Sequence, residues 1–125
     1  MLRVVRVINL DIPDHYFCSV SMTTQAAYQI NVKIFDQYNN VLFDQTRQSY
    51  LALPMINDTF LSTFNGLSLQ VSCEESNDLD IRLTDMTIKA PDDIISQSYL
   101  LVAEDSEDYD YNDLWLTISS WRYQG

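Results

Sequence analysis

Glycine and histidine are scarce: the 125 residues include two glycines and one histidine. With so little glycine, turns must be built by Asn and Asp, which tolerate left-handed backbone and bond their own main chain. A zinc centre or a Ser-His-Asp or Cys-His arrangement would have to rest on His15 alone, and such sites ordinarily need more. His15 follows Pro13-Asp14 and reads as a surface turn residue with little catalytic weight. The two cysteines, Cys18 and Cys73, have no neighbouring Cys or His and sit in apolar-alternating stretches. Two buried free thiols are the favoured reading, with a single disulfide as the alternative. No apolar run is long enough to span a bilayer. The start, Met1-Leu2-Arg3-Val4-Val5-Arg6, lacks the long apolar stretch and small-residue cleavage site of a secretory signal. A chain already stripped of its signal would look the same, so the compartment stays open. Bases are few, seven against 18 acids for a net charge of −11. That balance makes nucleic acid and anionic membranes poor partners.

What is present is strand after strand. The length fits one domain over residues 1–125, large enough to bury a core without disulfide staples. Strands are expected at Val4–Leu10, Phe17–Met22 and Tyr28–Phe35, the last with Ile30, Val32 and Ile34 on one face. A polar turn, Asp36–Asn40, returns into Val41–Phe43, so residues 28–43 form a hairpin. Short strands follow at Ser49–Leu53, closed by Pro54, and at Thr59–Thr63. Asn65-Gly66 is the strongest turn signal. Leu67–Cys73 is a further strand, followed by an acidic turn at Glu74–Asp78. Leu79, Ile81 and Leu83 alternate, but Met86 and Ile88 are out of phase with them, which predicts a bulge near Thr84-Asp85. Ala90–Ile95 is a loop, Tyr99–Val102 a strand, and Leu114, Leu116 and Ile118 lie on one face of a last strand. Strong helix signals and internal repeats are absent. The expected fold is all-β, an antiparallel β-sandwich.

The acids are unevenly spread. Six of the 18 fall in the ten residues from Glu104 to Asp113, with no base among them: Glu104, Asp105, Glu107, Asp108, Asp110 and Asp113. Packing these carboxylates together costs free energy through repulsion, and a hard cation offsets it. Calcium takes six to eight oxygens from carboxylates, amide carbonyls and backbone. Asp108, Asp110 and Asn112 alternate and would point to one side of an extended chain, and Glu104 and Asp113 would close the cage from either end. Magnesium is the lesser alternative, because it keeps several waters. Asp108-x-Asp110-x-Asn112 also matches the opening of an EF-hand loop, but the sixth position is Asp113 rather than Gly and the twelfth is Ser119 rather than Glu. The bland alternatives are a solvated acidic loop without metal, and a calcium that only stiffens the loop.

The run Leu100-Leu101-Val102-Ala103-Glu104-Asp105, then Asp108-x-Asp110-Tyr111-Asn112-Asp113, an apolar strand, Trp121 and Gly125, resembles the C-terminus of the small bacterial two-calcium lectins that bind fucose and mannose, the LecB type. The similarity is specific over residues 99–125 and weaker elsewhere, where Ile12-Pro13 and Tyr28-Gln29-Ile30-Asn31-Val32 fit the N-terminal half. The resemblance implies a sandwich of about nine strands and two adjacent calcium ions. Glu104, Asp108, Asp110, Asn112 and Asp113 would be side-chain ligands, a main-chain carbonyl of Thr23 or Thr24 would add another, and Gly125 would lend a terminal carboxylate to a partner subunit. It also implies a homodimer or higher homo-oligomer, and fucosylated or mannosylated glycans as partners. In the family the sugar is held by its own hydroxyls on the metal. Asp105 and Asp108 would accept further hydroxyl hydrogen bonds, and Thr24, Gln25 and Ala26 would tune the choice of sugar.

Three functions are weighed. The first is a calcium-dependent lectin without catalysis. The second is a calcium-stabilised structural or adhesion module that binds no sugar. The third casts Glu104 and Asp113 as the acid and base of a glycoside hydrolase. It ranks last, because so many carboxylates in one loop are better explained as ligands.

Overall fold

The structure, a computed structural model, describes residues 3–62, 64–75, 78–104 and 113–122. Nine strands run in chain order: β1 (Arg3–Leu10), β2 (Tyr16–Thr24), β3 (Ala26–Asp36), β4 (Val41–Ser49), β5 (Ile56–Leu61), β6 (Leu67–Glu74), β7 (Asp80–Lys89), β8 (Ile94–Glu104) and β9 (Leu114–Arg122). They form two antiparallel sheets, β1-β6-β3-β4 and β5-β2-β9-β8-β7. Among the described residues there is no helix, and so none long and apolar enough to cross a membrane.

Alternation explains the layering. Cys18, Val20 and Met22 from β2, Ile30, Val32 and Ile34 from β3, Leu69 and Val71 from β6, Leu101 from β8, and Leu116 and Ile118 from β9 are all 1% exposed or less. Each comes from the inward face of its strand, and each such side chain contributes about 1.5–3 kcal/mol of burial. Cys18 and Cys73 are free and fully buried in opposite sheets, and burial pushes the Cys18 thiol up to about 12. His15 is an exposed turn residue with φ 63°, its Nδ1 2.9 Å from Asp14 Oδ1, as its sequence context indicates.

The expected hairpin over 28–43 forms, and Asp36 organises its turn. Its side chain accepts hydrogen bonds from the Tyr38 and Asn40 N–H groups (2.9 and 3.0 Å) and from Asn40 Nδ2 (2.9 Å). Burial pushes the Asp36 carboxyl up, but these bonds outweigh it and hold it below the usual carboxylate range. A depressed folded value stabilises the protein above the ordinary carboxylate pKa, and this contribution is lost as pH falls through the folded value. Asp36→Ala is therefore expected to melt below the parent at neutral pH, with the gap closing as pH falls below about 4. A gap independent of pH in parallel thermal melts would contradict this assignment.

Two expectations need correction. Ser49–Leu53 is not a strand. β4 continues through the polar run Asp44–Ser49 beside β3, and Tyr50 and Leu51 then stand in solvent at 80% and 77% exposure. There is no bulge at Thr84-Asp85 either. β7 pairs with β8 without a break from Asp80–Glu104 to Ile88–Ser96, and the irregularity lies between Ile88 and Lys89. The change of phase has another cause. β7 is the edge of a five-stranded sheet facing a four-stranded one, so neither of its faces is well covered. Leu83, opposite the buried Leu101, is exposed, and so are Met86 and Ile88 on the other face. Asn65-Gly66 does turn, with Gly66 at φ 81°, but it links strands of different sheets rather than closing a hairpin.

Candidate functional site

The acidic segment is the connection between β8 and β9, which are neighbours in the five-stranded sheet. Ala103 of β8 pairs with Leu114 of β9, and Leu114 pairs on its other side with Thr24 of β2. The loop therefore leaves from and returns to one end of the sandwich, beside the last residue of β2. At that same end the chain changes sheets. β2 ends at Thr24, β3 begins at Ala26 in the other sheet, and Gln25 alone joins them. The Gln25 N–H donates to the Asp113 carbonyl at 3.1 Å, which fastens the corner to the foot of the acidic loop.

Of the sequence-derived site residues, the structure brings together Thr23, Thr24, Gln25, Ala26, Glu104 and Asp113 around this end. Asp105, Asp108, Asp110, Asn112 and Gly125 lie outside the described residues. Thr23 Oγ1 donates to the Leu53 carbonyl, and Ala26 is buried. Glu104 and Asp113 are 1% and 7% exposed. Two carboxylates buried at the two feet of one loop are costly unless the surroundings compensate their charge. Thr24 Oγ1 is buried in the same place with no hydrogen-bond partner among the described residues.

These groups fit a hard cation. The donor types here are carboxylate, hydroxyl and main-chain carbonyl oxygens, which suit calcium and not a soft metal. The thiols lie elsewhere: Cys18 sits opposite Phe60 and Ser120, and Cys73 in the other sheet. Among the described residues alone no group of three His, Cys, Asp or Glu side chains is positioned to hold a metal, so a complete cage needs the loop's own carboxylates.

Solved structures share this frame. The C-terminal domain of the BC2L-C lectin from Burkholderia cenocepacia superposes with a TM-score of 0.73 at 17% identity, over 97% of this chain and 100% of that one. The high-affinity mannose-binding lectin of Ralstonia solanacearum gives 0.70 at 19%, over 93% and 96%. The Chromobacterium violaceum lectin CV2L, solved in complex with alpha-methyl-fucoside, gives 0.66 at 18%, over 93% and 96%. No curated protein matches the sequence. The protein is a carbohydrate-binding lectin of β-sandwich form, not an enzyme. It belongs to the fucose-binding lectin II (PA-IIL) family, whose profile matches residues 9–122.

One feature of this end is silent in the sequence. In β3 the pairing with β4 slips between Ala26–Ser49 and Ile30–Arg47, so four steps along β3 are matched by two along β4. The phase of Ile30, Val32 and Ile34 would send Tyr28 into the core, yet Tyr28 is 39% exposed and Gln29 beside it is also exposed.

Proposed function

We propose that this lectin binds fucose- or mannose-type residues of glycans in a calcium-dependent manner, through two adjacent calcium ions held by residues 104–113. The observation that carries the reading is the meeting of that segment with the Thr24–Gln25–Ala26 corner, sealed by the Gln25–Asp113 bond. Glu104, Asp108, Asp110, Asn112 and Asp113 would hold the metal with a carbonyl of Thr23 or Thr24. Bound there, calcium supplies open positions that vicinal sugar hydroxyls fill in place of water. The chain's own part is to hold its carboxylates in place and present hydrogen-bonding groups. Asp105 and Asp108 would accept from sugar hydroxyls, and Thr24, Gln25 and Ala26 would shape the wall against which the ring rests.

Self-association as a homodimer or higher oligomer belongs to the same reading. Trp115, Leu100, Met86 and Ile88 share the outer face of the five-stranded sheet by their register, and all four are exposed. Sedimentation is expected to return at least twice the 14.5 kDa chain mass. A strictly monomeric protein at micromolar concentration would contradict this part.

A glycan array probed with calcium and again with EDTA tests the function. Binding to fucosylated or mannosylated glycans that vanishes with EDTA is the expected result. Absence of binding with calcium present overturns it.

A further inference from the structure

We propose that the cavity lined by Tyr28, Gln29, Gln48, Glu74 and Glu75 is a second sugar subsite, which takes the residue next to the one held at the acidic loop. The proposal rests on the reading above and extends it from a monosaccharide to a neutral oligosaccharide.

Position is the first argument. The cavity lies at the end of the four-stranded sheet where β3 emerges from the Gln25 corner. Tyr28 is three residues beyond Gln25, so their Cα atoms are at most roughly 10 Å apart. A span of that order is covered by two linked pyranose rings. A sugar seated against Thr24–Ala26 can extend its neighbour towards Tyr28 without leaving the surface.

The second argument is how Tyr28 comes to be there. The two extra residues of β3 between Ala26 and Ile30 turn it out of the phase that would bury it. Bulges of this kind commonly re-aim a side chain beside a site. This bulge is also pinned, because Gln48 Nε2 donates to the Ala27 carbonyl at 2.6 Å. The backbone next to Tyr28 is thus fixed by a contact from the neighbouring strand.

Chemistry is the third. A tyrosine ring offers an apolar face for the C–H face of a pyranose and a hydroxyl at its tip. Gln29 supplies an amide that both donates and accepts. Glu74 and Glu75 supply carboxylates, which take sugar hydroxyls as strong charge-assisted donors. None of these lining residues is a base, and the neighbouring cation Arg3 lies 4.0 Å from Glu74; the two carboxylates outweigh it, so an anionic sugar is disfavoured and a neutral, hydroxyl-rich one preferred. The volume, about 180 Å³, is smaller than the roughly 300–1,000 Å³ of a pocket for a drug-sized ligand and suits one sugar ring.

The test is calorimetric titration of the calcium-loaded full chain, parent and Tyr28→Ala, with two kinds of ligand. One is methyl α-fucoside and methyl α-mannoside. The other is a set of neutral di- and trisaccharides ending in the same residues. The parent should bind its best oligosaccharide roughly tenfold more tightly than the monosaccharide, a difference of about 1.4 kcal/mol. Tyr28→Ala should erase that advantage and leave monosaccharide affinity within about twofold, while Tyr28→Phe should keep most of it. Equal affinity for both ligand types in the parent, or an advantage that survives in Tyr28→Ala, overturns the subsite and leaves the monosaccharide site standing. A parent that binds neither ligand with calcium overturns the functional reading itself, and the subsite with it.

Discussion

Asp110→Ala combined with Asp113→Ala is expected to abolish glycan binding while leaving a folded β-protein. Both carboxylates belong to the proposed calcium cage, and losing them removes two of its five side-chain ligands. Substitutions in the outer shell of a metal already cost about 10–100-fold in affinity, so the loss of two direct ligands should exceed roughly 100-fold. Folding should survive for a structural reason. The bond that ties the loop to the corner runs from the Gln25 N–H to the Asp113 main-chain carbonyl, and alanine keeps that carbonyl. The core residues Leu114, Leu116 and Ile118 that follow are untouched. The check is glycan titration of the double variant beside its circular dichroism spectrum. A folded double variant with parental affinity would remove the metal from recognition.

Calcium removal should cost stability as well as binding. Six of the chain's 18 acids lie in Glu104–Asp113 without a base among them, and Glu104 and Asp113 are buried at its ends. A bound cation offsets that repulsion in the folded state, and the unfolded chain holds no such cage. At a hundredfold excess of metal over its Kd, each site adds about 2.7 kcal/mol. Two sites in a domain of this size should move the melting temperature by roughly 10 °C or more. Magnesium at the same concentration should do much less, since it dehydrates reluctantly. A melting temperature indifferent to calcium and EDTA would contradict a filled cage. A large calcium shift without sugar binding would instead describe a metal-stiffened structural module.

Much of the frame is legible in the residues. Ile30-x-Val32-x-Ile34 and Leu67-x-Leu69-x-Val71 alternate because one face of each strand meets the opposite sheet, and the structure buries those side chains. β7 misled for the converse reason. At an uncovered edge no face must be apolar, so Leu83, Met86 and Ile88 carry no reliable phase. The polar run of β4 gave no apolar signal at all, although it pairs with β3 as far as Ser49. At the site, the acidic spacing from Glu104 to Asp113 is visible in the residues themselves, and the calcium role proposed above starts from that spacing. Contact between Gln25 and Asp113 is not visible there, since it depends on the register of β2 against β9 across most of the chain. Tyr28 was hidden for a similar reason. Its exposure follows from a slip between strands, and its own residue type and phase point inward.

The most direct measurement is calorimetric titration of methyl α-fucoside and methyl α-mannoside into the protein stripped with EDTA, and again after reloading with calcium. Saturable binding of at least one of them after reloading, with none in the stripped protein, is the result expected if sugar hydroxyls are held on calcium at the Glu104–Asp113 loop. Equal affinity in the stripped and reloaded protein would contradict it.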